Sequence, residues 1–206
     1  SLYLRIIKNK EDKLRYLERF GKCKKKFTET KKIIWLHASS IGEFKSSNLI
    51  IEKYHKDFNI LVTTTTKTSA EYINKYYNDK VLHQFIPYDV PIWCSRFINY
   101  WKPSLILWIE SDIWPNMLKI INDKKINCFY INARISPKSY KKWKYFKNLY
   151  SKSLNTFNKI LAQSLNDLKR IEILSGRKIQ YIGNLKLSNN NKNNIDLKTK
   201  REFSIM

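Results

Sequence analysis

Seven short apolar runs alternate with stretches of helical length, and this alternation constrains the chain more than any other feature. The runs are Ile33–Leu36, Ile60–Thr64, Val81–Ile86, Leu105–Ile109, Cys128–Ile131, Ile160–Ala162 and Ile179–Ile182. The first, Ile-Ile-Trp-Leu, is apolar throughout with β-branched and aromatic members, which suits a strand covered on both faces. Between the runs lie Phe44–Lys56, Ser69–Tyr77, Val90–Trp101, Ile113–Asp123, Pro137–Leu154 and Leu165–Leu174. Ile50, Tyr54 and Phe58 share a helical face in the first of these, and Ile92, Phe97 and Trp101 do much the same in the third. Strand and helix at this spacing predict an α/β, Rossmann-like fold: a parallel sheet with helices on both faces.

The flanks read differently. Residues 1–32 form a lead-in that is strongly charged from residue 8 to 32, with Lys24-Lys25-Lys26 near the end and an apolar stripe of Leu14, Tyr16, Leu17 and Phe20. They predict a basic lead-in helix lying on a surface and ending at Gly21. Ser1-Leu2-Tyr3-Leu4 reads as the tail of a membrane anchor or as an amphipathic start. Residues 188–206 open with an asparagine-rich run and read as a polar linker or tail, which leaves 33–187 as the folded domain.

Charge limits the partners. Forty Lys and Arg against 17 Asp and Glu give a net charge of +23. Such a balance implies nucleic acid, an anionic membrane surface or phosphorylated substrates, or else lysine accumulation on solvated faces. Cys23, Cys94 and Cys128 are odd in number and scattered, which fits a reducing, cytoplasmic setting rather than a disulfide framework. They and His37, His55 and His83 show no metal-ligand spacing, so no metal is expected. No run approaches the roughly 18 apolar residues that would span a bilayer.

In open α/β sheets ligands bind beyond the carboxyl ends of the strands. Those ends read, in order, His37-Ala-Ser-Ser-Ile-Gly-Glu43, Thr63-Thr-Thr-Thr-Lys-Thr68, Pro87-Tyr-Asp89, Glu110-Ser-Asp-Ile-Trp-Pro-Asn116, Asn132-Ala-Arg134, Gln163-Ser164 and Gly183-Asn-Leu-Lys186. Each loop has a structural explanation of its own: Glu43 as a helix-start carboxylate, Gly42 as a tight turn, Thr64 to Thr66 as a cap, Arg134 as an ion-pair partner. Together on one rim they make a polar ligand site. The rim has no GxGxxG, no GxxxxGK[ST] and no GxSxG elbow, so neither a dinucleotide fingerprint, a P-loop nor a serine nucleophile is present. What remains is a carboxylate base, a hydroxyl-rich pocket and cations. That set suits transfer to a sugar hydroxyl, with Glu43 taking the proton and Arg134 and Lys186 offsetting negative charge.

These loops, in this order and spacing, closely resemble the amino-terminal half of the 3-deoxy-D-manno-octulosonic acid (Kdo) transferases of lipopolysaccharide synthesis, from about Tyr16 through Lys186. The resemblance implies a GT-B glycosyltransferase whose amino-terminal domain takes a lipid A precursor and whose carboxyl-terminal domain binds the donor, CMP-Kdo. It places the general base on Glu43 and transition-state stabilisation on Glu110 and Lys186, in an inverting reaction with no metal and no cofactor beyond the donor. Ser39, Ser40, Gly42, Thr64, Thr65, Asn132 and Arg134 are the expected acceptor-side contacts. It further implies a location at the cytoplasmic face of the inner membrane. The family's membrane segment and its donor domain are not among these 206 residues, so transfer and CMP binding are not expected of this stretch by itself.

One stretch stands apart. In Lys138–Tyr150 cations interleave with large rings, and on a helix Tyr140, Trp143, Phe146, Tyr150 and Leu154 share one side. This is either a packing face against the sheet or a contact with an anionic membrane. Two other readings of the chain remain beside the transferase: a basic nucleic-acid-binding α/β module, against which stands the absence of any RRM, KH or helix-turn-helix signature, and an inactive remnant.

Overall fold

The structure is a computed structural model that describes residues 11–110 and 112–185. Within them the chain runs β1 (Ile33–Ala38), α1 (Ile41–Lys45), α2 (Asn48–Tyr54), β2 (Asn59–Thr64), α3 (Lys67–Tyr76), β3 (Leu82–Phe85), α4 (Pro91–Trp101), β4 (Leu105–Ile109), α5 (Pro115–Asp123), β5 (Asn127–Ala133), α6 (Pro137–Tyr145), α7 (Lys147–Leu154), β6 (Lys159–Ala162), α8 (Leu165–Ser175) and β7 (Gln180–Tyr181). Every apolar run of the sequence became a strand. The seven pair in parallel in the order β3-β2-β1-β4-β5-β6-β7.

Alternation along each strand divides the core in two. Ile34, Leu36, Leu107, Ile109 and Ile131 join Phe44, Ile51 and Ile73, so α1, α2 and α3 cover one face. Trp35, Ile106, Trp108, Cys128 and Tyr130 join Phe97, Met117, Tyr150 and Ile171, so α4, α5, α7 and α8 cover the other. The chain therefore changes direction across the sheet at β1. The crevice beyond the carboxyl ends of β1 and β4 is the topological switch point, where open α/β sheets take ligands.

Two helices differ from expectation. The stretch expected as Phe44–Lys56 breaks at Ser46-Ser47, where the Ser47 hydroxyl donates to the Phe44 carbonyl at 2.7 Å and so competes with the helical ladder. The stretch Pro137–Leu154 breaks at Phe146, whose φ of −119° and ψ of 37° leave the helical region.

Where a surface helix was expected, the described part of the lead-in (11–32) holds one 3-10 turn, Tyr16–Phe20, which ends at Gly21 with φ 69° as the sequence suggested. A Cβ on Gly21 would collide with the Trp93 carbonyl, so glycine is required there. Arg19 and Glu11 are buried, at 3% and 0% side-chain exposure, and pair at 2.9 Å. Arg19 also donates to the Thr65 and Ile86 carbonyls, at 2.7 and 3.2 Å. Glu18 accepts from the Phe85 amide at 2.7 Å. The apolar-stripe reading fails because these charged side chains turn inward to satisfy the exposed edge of β3. The start of the lead-in (1–10), Lys186 and the polar tail (188–206) lie outside the described residues.

Candidate active site

The turn after β1 is built by a capping box. Ser40 is the N-cap of α1, and its hydroxyl accepts from the Glu43 amide at 3.3 Å. Glu43 returns the contact: one carboxylate oxygen accepts from the Ser39 amide at 2.7 Å and the other from the Ser40 hydroxyl at 3.2 Å. This is Ser-x-x-Glu capping with a half-buried carboxylate. The helix-start reading of Glu43 describes this conformation, and the cap holds the carboxylate at the switch point. Thr65 clamps the same turn by donating to the Ser39 carbonyl at 2.7 Å. Gly42 lies inside α1 and is exposed, so helix geometry rather than a tight turn accounts for its backbone.

His37 and Thr64 are placed differently from expectation. Both lie within strands and are fully buried. His37 Nδ1 is 2.9 Å from the Thr63 hydroxyl, which also accepts from Trp35 Nε1 at 2.8 Å, and its ring lies 4.3 Å from that of Trp108. Burial pushes the imidazole down from 6.5 to about 3, so it is neutral and serves neither serine of the turn. Thr64 lies 3.0 Å from His83 Nε2, beneath the rim rather than at its surface.

β4 and β5 end side by side in an unusual way. Glu110 and Asn132 carry φ of 51° and 55°, the left-handed region that non-glycine residues occupy at a cost of about 1 kcal/mol or more. Glu110 Oε1 accepts from the Ser46 hydroxyl at 2.8 Å and from Asn132 Nδ2. Asn132 Oδ1 accepts from the Leu185 amide at 3.2 Å. One connected set of bonds therefore runs from the α1–α2 break through Glu110 and Asn132 to the last described residue before Lys186. Sequence reading missed Ser46, since a serine in mid-helix gives no signal of its own.

Beside Glu110 lies a cavity of about 160 Å³, lined also by Asp112, Tyr130, Arg134, Ser136, Ser139, Trp143 and Tyr150. Arg134 is exposed at its mouth; Glu43 does not line it. Burial pushes the Tyr130 phenol well above its usual range, with Tyr150, Asp112 and Glu43 adding in the same direction, so it stays a neutral donor. Two carboxylates read only as rim polar groups or not at all turn out to be scaffolding. Asp89 accepts from the amides of Asn116 and Met117 at 3.1 and 2.7 Å, capping α5 from another loop. Asp167 accepts from the Ile135 amide at 2.9 Å and from the Ser164 hydroxyl at 2.5 Å, tying α8 to the loop after β5. The thiols of Cys23 and Cys94 are pushed up to about 11 and about 12, chiefly by burial, so neither is a thiolate nucleophile. Among the described residues no cluster of His, Cys, Asp and Glu has the form of a metal site.

A doubly wound parallel sheet with a capped carboxylate turn at its switch point defines a Rossmann-like α/β domain, and the family match makes it one of the glycosyltransferase type. Residues 14–189 match the sequence model of the family described as 3-Deoxy-D-manno-octulosonic-acid transferase (kdotransferase), and the chain belongs to that family. A 3-deoxy-D-manno-octulosonic acid transferase of Rickettsia bellii (strain RML369-C) is 34% identical over 193 residues, covering 91% of this chain and 45% of that protein. A probable mitochondrial 3-deoxy-D-manno-octulosonic acid transferase of Arabidopsis thaliana is also 34% identical, over 187 residues, 84% of this chain and 42% of that protein. A bifunctional glycosyltransferase/methyltransferase of Fusobacterium nucleatum is 32% identical over 161 residues, 75% of this chain and 25% of that protein. The chain spans less than half the length of these relatives.

Proposed function

We propose that these residues are the acceptor half of a GT-B, inverting glycosyltransferase that moves Kdo from CMP-Kdo to a lipid A precursor, at the cytoplasmic face of the inner membrane. The observation that carries the reading is Glu43: a carboxylate fixed in one rotamer by Ser39 and Ser40, at the switch point of a fold shared with the family. In the proposed step the acceptor hydroxyl gives its proton to Glu43 as its oxygen attacks the anomeric carbon of Kdo. The bond from that carbon to the CMP phosphate oxygen breaks, and CMP leaves with the electron pair. A base on one face and a leaving group on the other give inversion.

Glu110 is assigned to the transition state rather than to proton transfer. Its Oε1 is already committed to Ser46 and Asn132, which suits a fixed charge better than a proton carrier. Lys186 and Arg134 are assigned to offset negative charge on acceptor and phosphate, and Ser39, Ser40, Thr65 and Asn132 to shape the acceptor side. Donor contacts are assigned to the part of the family's length beyond this chain. The test is transfer of Kdo from CMP-Kdo to a lipid A precursor by residues 1–206 joined to a family donor domain. Product carrying inverted Kdo supports the reading, and a folded, joined protein that binds both substrates without transfer contradicts it.

A further inference from the structure

Between Pro137 and Leu154 the sequence places six lysines and no acidic residue. The stripe expected of one continuous helix is divided by the break at Phe146. Tyr150 and Leu154 are buried, and Tyr140 and Trp143 pack half-buried against the core, so packing accounts for those four. It does not account for the elbow between α6 and α7. There Tyr145 is 87% exposed, Phe146 55% and Leu149 46%, and all six residues from 144 to 149 are exposed. Lys141, Lys142, Lys144 and Lys147 flank them, also exposed, and none pairs with a carboxylate among the described residues.

We propose that this elbow docks the chain on an anionic lipid bilayer. Its composition matches the two layers of a membrane surface: large apolar rings that enter the interface, and lysines placed to meet anionic head groups. Its position also links it to the site. Ser139 and Trp143 of α6 line the cavity beside Glu110, and Tyr145 follows Trp143 by two residues, about 3 Å of helix rise. A chain docked by the elbow holds that cavity at head-group level, where a phosphorylated lipid presents its sugar. Among the described residues no helix is long and apolar enough to cross a membrane. This inference rests on the proposed lipid acceptor, and its test reads docking separately from transfer.

The full chain is sedimented with vesicles of phosphatidylglycerol and phosphatidylcholine, and with vesicles of phosphatidylcholine alone. The chain is expected to partition onto the anionic vesicles at least about tenfold better, with salt weakening the difference. Replacing the three apolar residues (Tyr145→Ser, Phe146→Ser, Leu149→Ser) is expected to weaken that binding about tenfold while melting stays unchanged. Replacing Ile92 and Ile173, exposed apolar residues elsewhere, should leave it as it was. Undiminished vesicle binding by the folded triple variant overturns the proposal. So does a variant that loses binding to single-stranded oligonucleotides but not to vesicles. Docking without transfer would count against the proposed function only, and transfer in detergent without vesicle docking would count against the elbow only.

Discussion

Glu43 caps α1 and is the proposed base, and the two roles separate by substitution. As the third residue of α1 it closes the capping box with Ser40; as a half-buried carboxylate at the switch point it is the proposed base. Glutamine fills the same capping position, so the cap survives a change that removes the charge. His37 shows the opposite case, a polar residue with a purely structural setting. Its unfolded imidazole binds a proton below 6.5, whereas the folded one does so only below about 3. Between those values the unfolded state carries more protons, so stability falls as pH drops, by about 1.4 kcal/mol per pH unit for one group. His83, pushed down chiefly by burial and then by Arg15, adds to the same trend. Urea midpoints measured from neutral pH downward are expected to fall steeply for the native chain and less steeply for His37→Gln. Parallel curves would show that His37 is not the buried neutral group described.

At the scale of elements, the sheet was legible and the joints were not. All seven strands could be read from runs such as Ile33–Leu36 and Leu105–Ile109, because a buried parallel strand is apolar on both faces. The break at Ser46-Ser47 was hidden because it depends on one hydroxyl bonding the Phe44 carbonyl and another reaching Glu110 from far along the chain. The left-handed ends at Glu110 and Asn132 carry no glycine to announce them. The rim itself was foreseeable, since strand polarity alone puts Ser39, Glu43, Glu110 and Arg134 on one edge. Thr64 closes β2 where the apolar run ends, and its hydroxyl turns inward because His83 on the neighbouring strand lies within hydrogen-bond distance. The cap of α5 is another long-range joint: Trp114 supplies no side-chain bond, and Asp89 supplies it through space. Asp89→Ala is expected to cost about 1 kcal/mol, read as a lowered melting temperature with the far-UV spectrum retained. An unchanged melting temperature would mean that α5 does not depend on this cap.

Across the whole molecule the net charge is +23, and most lysines among the described residues are exposed, while Arg15 is half-buried and Arg19 buried in the lead-in. Residues 11–20 seal the β3 edge through Arg15, Glu18 and Arg19, so one side of the sheet is closed. Glu11→Gln strips Arg19 of its buried counter-charge and is expected to cost about 3–5 kcal/mol in chemical denaturation. A loss below about 1 kcal/mol would place the pair in solvent and contradict the sealed edge. Glu43 is the proposed base of the transfer. The most direct measurement of that role compares Kdo transfer by the native protein, Glu43→Gln and Ser40→Ala, each joined to a family donor domain. Ser40→Ala should lose about 1 kcal/mol of stability and less turnover than Glu43→Gln, since it removes one contact to the carboxylate and leaves the carboxylate itself. Glu43→Gln should keep its stability and lose nearly all turnover. Near-native turnover by a stable Glu43→Gln would show that Glu43 is not the base.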